Sequence, residues 1–156
     1  MPRRMLIAIA IAIAVALPLL AAPAGAAAPK VSRGETPAPG ERIDNRIVVQ
    51  VNEDDSRKWH TVLANLRNIR AELGPDRVRI AVVVIGDGLG MLMADALTAN
   101  DVQDALAAGV EFVACGNSMK ARKIDRADLI DGVGVATAGY VEIMRRQQQG
   151  WSYLRP

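Results

Sequence analysis

From residue 46 onward, short runs of β-branched residues alternate with longer stretches in which apolar residues return every three or four positions. Residues 46–51, RIVVQV, predict a strand. Asp54 or Asp55 stands where a helix cap belongs, and Trp59, Val62, Leu63, Leu66, Ile69 and Leu73 then share one helical face. Gly74-Pro75 ends that helix. Residues 78–85, VRIAVVVI, are almost continuously apolar, the pattern of a parallel strand covered on both faces. Gly86-Asp87-Gly88 predicts a turn, residues 89–97 a short buried helix, and a further helix begins at Asn100 or Asp101 and stops at Gly109. Residues 110–114 predict a third strand, 118–122 and 126–130 helical turns, and 133–136 a fourth strand. Residues 140–148 form a helix with Tyr140, Ile143, Met144 and Gln147 on one side, and residues 151–154 a last strand. Strands alternating with helices predict an α/β domain, a mostly parallel five-stranded sheet with helices on both faces. Reactive groups in such sheets gather at the carboxyl ends of the strands.

The first part of the chain follows other rules. Arg3 and Arg4 precede an apolar run of 16 residues, 5–20, and small residues follow, with A-x-A patterns at 24–26 and 26–28. This layout predicts a signal peptide over 1–28 that is cleaved on export, leaving a periplasmic or secreted protein. The run is shorter than the ~20 residues of a spanning helix, so no permanent membrane anchor is expected. Residues 29–45 hold three prolines and two glycines without periodicity and read as a flexible leader. The domain proper is 46–156.

Composition narrows the function classes. The formal charge of +2 includes Arg3 and Arg4, so the chain from 29 onward balances 17 basic against 17 acidic residues. That balance, with only five aromatic residues, argues against nucleic acid as a partner. Gly86-Asp87-Gly88-Leu89-Gly90 follows a strand, but a dinucleotide fingerprint needs glycine at 91, where Met91 stands. One cysteine and one histidine do not make a zinc site, and Met91 and Met93 read as packing or subunit-contact residues. No cofactor and no metal are expected.

Cys115 is the only cysteine, so it has no internal disulfide partner. It stands at a strand end before Gly116 and a helical start, where backbone N–H groups and the helix dipole favour a thiolate. Residues 120–126 carry Lys120, Arg122, Lys123 and Arg126 against one acid, a cationic neighbourhood that would lower the thiol further and attract anions. The alternative is a small packing residue beside a solvated basic loop. Asn117 and Ser118 either bond a group held on sulfur or cap the following helix. His60 is either a base toward Cys115 or a boundary residue of the first helix. Asn52 shares the carboxyl edge of the sheet.

With these residues assembled, the chain resembles the DsrE/DsrF-like family over about residues 46–156. The resemblance is carried by Phe112-Val113-Ala114-Cys115-Gly116-Asn117-Ser118-Met119, by Arg122-Lys123-Ile124-Asp125, by Leu129 with Gly132-Val133, and by Gly139-Tyr140-Val141-Glu142-Ile143, Gln147, Gly150-Trp151-Ser152-Tyr153 and Pro156. The stretch 52–59, with Asn65 and Asn68, also fits. The resemblance implies a flavodoxin-like α/β sandwich assembling into trimers or hexamers. In better-known relatives a cysteine carries sulfur as a persulfide and passes it between proteins, and Cys115 matches that position. Those relatives are cytoplasmic, whereas this chain opens with an export signal.

Three functions follow as expectations. The first is sulfane-sulfur handling by a persulfide on Cys115, with a donor or acceptor protein as partner. The second is a non-catalytic homo-oligomeric binding module with a structural cysteine, its interface fed by residues 89–97. The third is a redox sensor in which Cys115 forms a mixed or intersubunit disulfide.

Overall fold

The computed structural model describes residues 45–156; the expected signal and all of the leader except Asn45 lie outside them. Five strands form one sheet: β1 (Asn45–Val51), β2 (Val78–Val84), β3 (Glu111–Cys115), β4 (Gly134–Ala136) and β5 (Ser152–Leu154). Their order is β4-β3-β2-β1-β5, and every neighbouring pair is parallel. The expected α/β, flavodoxin-like sheet with helices on both faces is therefore observed.

Side chains on β2 sort by parity, as the pleat requires. Ile80, Val82 and Val84 enter the larger core with Trp59, Val62, Leu63 and Leu66 of α1 (Ser56–Leu73) and Val102 of α2 (Ala99–Ala107). Met119 of α3 (Gly116–Arg122) joins the same core. Ala81 and Val83, with Ile85 just past the strand, face the other way, into a smaller core with Val113, Cys115 and Trp151, and with Ile143 of α4 (Gly139–Gln148). Of the two aspartates offered as a cap, Asp55 is the one used: its Oδ1 accepts the N–H groups of Arg57 at 2.9 Å and Lys58 at 3.3 Å.

Residues 89–97 are not the helix the apolar pattern predicts. Residues Gly86–Leu92 form a 3-10 turn, and α2 begins only at Ala99. The cause is close approach. A Cβ on Gly88 would lie 2.9 Å from the Val51 carbonyl oxygen, and one on Gly90 would lie 2.9 Å from the Trp59 ring. Leu89, Met91 and Leu92 are packed inside, so the apolar side expected at an interface lies in the core, while Ala94, Asp95 and Leu97 stand exposed. In α4 the predicted shared side divides: Ile143 is buried, while Tyr140 and Met144 face outward. Among the described residues no helix is long and apolar enough to cross a membrane.

The order of the strands fixes where a site can form. The chain leaves β3 toward α3 on the larger-core side, and leaves β4 toward α4 on the smaller-core side. Neighbouring strands whose exits diverge leave a crevice at their carboxyl ends, the position at which open α/β sheets place their ligands. Here that position lies between Cys115 and the turn at residues 137–139.

Candidate functional site around Cys115

Cys115 is the last residue of β3 and the N-cap of α3. Its side chain is 4% exposed. Burial alone would hold a thiol neutral. The surroundings oppose that. The N–H of Gly139, at the start of α4, donates to Sγ at 3.2 Å. The Ser118 hydroxyl and the N–H groups of Ser118 and Asn117, in the first turn of α3, also hydrogen-bond the sulfur. Burial pushes the thiol up, but these donors outweigh it and hold Cys115 below the ordinary thiol value. Charge on sulfur is thus favoured by fixed dipoles from two helix starts.

Glycine makes this convergence possible. A Cβ on Gly139 would lie 2.7 Å from Ile85 Cγ1 and 3.1 Å from Cys115 Cβ. Only a bare backbone can bring that N–H to the sulfur. The Asn117 N–H also reaches the Thr137 carbonyl at 3.0 Å, so the two diverging loops are tied across the crevice. Beside them a groove of ≈ 690 Å³ runs along β4 and the first turns of α4, lined among others by Val135, Thr137, Ala138 and Val141.

The other expected site residues fall into three groups. Asn117 and Ser118 do meet Cys115, although the cap of α3 is Cys115 itself and Asn117 acts through its backbone while its side chain is exposed. Ser118 Oγ accepts the Gly86 N–H at 2.9 Å, which brings the end of β2 into the site. Lys120, Arg122 and Lys123 lie exposed toward the far end of α3. Arg122 pairs with Asp87, and Lys123 closes the helix with φ 56°. The groups that set the thiol are backbone amides and a hydroxyl rather than these cations, which instead complement the carboxyl end of the helix dipole. Asn52 stands at the end of β1, on the far side of β2 from Cys115, and its Oδ1 accepts from Gln50 at 3.3 Å. His60 does not reach the site. It is exposed on α1, on the opposite face of the sheet, with Nδ1 3.2 Å from Asp101 Oδ2. Among the described residues there is no group of three or more side chains that could hold a metal.

Gly86 and Gly139 are the site residues that chemistry-bearing side chains could not reveal. Both act through an N–H. In the sequence each is a glycine close beyond a strand, Gly86 two residues past β2 and Gly139 three past β4.

A parallel α/β sheet with a single cysteine at its switch point, its thiol held below the ordinary value by backbone and hydroxyl donors, is the class of protein these observations define. The chain belongs to the DsrE/DsrF-like family, whose model matches residues 47–156. No curated protein matches it. A solved structure of a protein of unknown function from Methanobacterium thermoautotrophicum is 39% identical, covers 72% of this chain and 100% of its own, and superposes with a TM-score of 0.70. The ychN protein of E. coli shares the fold at 18% identity and a TM-score of 0.62, covering 72% of this chain and 99% of its own. A conserved protein of unknown function from Bacteroides thetaiotaomicron does so at 13% identity and 0.60, covering 74% and 97%.

Proposed function

We propose that this protein handles sulfane sulfur through a persulfide on Cys115, taken from an anionic donor such as polysulfide and passed to a partner thiol. The family is associated with sulfur relay. The observation that carries the reading is the set of donors around Sγ, which favours the thiolate such exchange requires. The thiolate attacks the terminal sulfur of a polysulfide. The Sγ–S bond forms as the donor S–S bond breaks, and the departing chain, one sulfur shorter, keeps the electron pair. In the return step a partner thiolate attacks the outer sulfur, and the electron pair of the broken bond returns to Sγ. Sulfur moves without net oxidation of the protein. Export and assembly into a homo-oligomer belong to the same reading. They are supported by the leader pattern and by the exposed apolar side chains Val135, Tyr140, Val141 and Met144 on β4 and α4.

The near-complete burial of Cys115 favours a second reading, a non-catalytic binding module with a structural cysteine. Intact mass after exposure to polysulfide separates the two, with Cys115→Ser alongside. A gain of sulfur, lost on reduction and absent from the variant, supports the carrier. No gain, together with a native thiol that resists alkylation, supports the module.

A further inference from the structure

We propose that Ser118 is the positioning residue of the Cys115 site, its hydroxyl fixed by Gly86 so that its single proton is given to the sulfur. For its part in turnover this rests on the persulfide reading above.

The argument begins with the hydrogen-bonding capacity of the hydroxyl. It has one proton and two lone pairs. Ser118 Oγ meets the Gly86 N–H at 2.9 Å. An amide N–H can only donate, so at that contact Oγ must accept and its proton is left for another partner. Cys115 Sγ, one helical turn back, is hydrogen-bonded to the same hydroxyl. Gly86 is suited to this by its φ of +59°, a left-handed turn that glycine adopts without strain. A second contact holds the arrangement: Arg122 pairs with Asp87, the residue after Gly86. Ser118 and Arg122 are four apart and lie on one side of α3. The helix is thus clamped to the end of β2 at two points, and the upper one faces the sulfur.

The hydroxyl differs from its companions. The N–H groups of Gly139, Ser118 and Asn117 belong to the backbone and remain whatever side chain is present. The hydroxyl is the one donor whose removal leaves the backbone unchanged. Its proton stays on Ser118 throughout. When Cys115 is loaded, charge sits on the outer sulfur and Sγ is neutral. When the outer sulfur leaves, the electron pair returns to Sγ and meets the Ser118 proton, so the contact favours discharge.

The charged or titratable side chains on the elements packed around the sulfur are Arg79 on β2, Asp87 on the turn, Glu111 on β3, Lys120 and Arg122 on α3, and Tyr140, Glu142, Arg145 and Arg146 on α4, with Glu111 bonded to Arg146. Asp87 is paired with Arg122 and Glu142 with Arg146.

The test is the pH dependence of Cys115 alkylation by iodoacetamide in the full chain. Wild type is compared with Ser118→Ala and with the isosteric pair Ser118→Thr and Ser118→Val. Loss of the hydroxyl should raise the midpoint by about one to two pH units, roughly a ten- to hundredfold loss of thiolate at a fixed pH below it, and Thr should restore it. A hydroxyl that only tied α3 to the Gly86 turn would lower thermal stability and leave the midpoint in place. An unchanged midpoint in folded Ala or Val variants overturns the proposal. So does failure of both to fold while Thr folds, since the hydroxyl would then be holding the structure. Polysulfide-loaded protein is then discharged with cyanide, and thiocyanate release should be about tenfold slower in Ser118→Ala. If wild type takes up no sulfur but is alkylated, the persulfide reading fails while the alkylation midpoint still decides the role of Ser118; a wild-type thiol that resists alkylation at every pH overturns both.

Discussion

The N–H of Gly139 lies 3.2 Å from the Sγ of Cys115, 24 residues earlier in the chain. That contact closes the crevice between β3 and β4 and requires a residue without a side chain. In Gly139→Ala the new methyl would press on Ile85 at 2.7 Å. The start of α4 must shift, at a cost of about 1–3 kcal/mol. Urea unfolding should show that loss, and the pH midpoint of Cys115 alkylation should rise as the donor moves away.

Because the Cys115 thiol is held below its ordinary value by these donors, it links stability to pH. Between the folded value and the unfolded value of ~8.5, the unfolded chain keeps a proton that the folded chain has lost. Stability must therefore rise with pH across that window. The contribution is complete above the unfolded value and is lost as pH falls through the folded one. Urea midpoints measured under reducing conditions should climb across this window in wild type, and that climb should be absent from Cys115→Ser.

Arg146 holds the other end of the smaller core. Its guanidinium lies 4.5 Å from the Trp151 ring centroid, while Nε meets Glu142 at 2.7 Å and one terminal nitrogen meets Glu111 at 2.8 Å. The side chain is 12% exposed, so removing it uncovers Trp151 and leaves two carboxylates without their partner. Arg146→Ala should cost about 2–4 kcal/mol in chemical denaturation. Lysine cannot reproduce the planar fork and should recover only part of the loss. Alkylation of Cys115 in the folded variant should keep its pH midpoint.

His60 offers a contrasting case. It pairs with Asp101 in solvent, linking α1 to α2 on the face away from the thiol. His60→Ala should leave alkylation and sulfur uptake at wild-type rates. Its effect on thermal stability should stay below about 1 kcal/mol, as for an exposed pair.

The elements that patterning revealed are those whose burial is periodic. Trp59, Val62, Leu63 and Leu66 mark one face of α1, and the unbroken apolar run of β2 marks a central strand. Patterning failed at 86–97, where apolar residues are present but the backbone is squeezed against Val51 and Trp59. Only a tertiary contact dictates that 3-10 turn. The site divides in the same way. Cys115 at a strand end was legible, as was its neighbour Ser118. The Gly86 and Gly139 donors were not, because an N–H group has no signature in residue type and arrives from another strand. The cationic stretch was legible as composition but misleading as geometry, since α3 carries Lys120, Arg122 and Lys123 away from the sulfur.

With sulfur drawn from an anionic donor, as proposed, that displacement leaves the cations to act at long range. Lys120 and Lys123 are exposed, and the groups that lower the Cys115 thiol are amides and a hydroxyl. At the surface a positive charge acts on approaching anions over about a Debye length, ~10 Å at 0.1 M salt. Lys120→Gln with Lys123→Gln should therefore slow sulfur uptake from polysulfide several-fold at low ionic strength, with the difference vanishing as salt is raised. Alkylation by neutral iodoacetamide should keep its wild-type pH midpoint. Stopped-flow uptake at two salt concentrations, beside that titration, checks both halves. A midpoint that rose in the double variant would mean that the lysines act on the sulfur itself, against the geometry of α3.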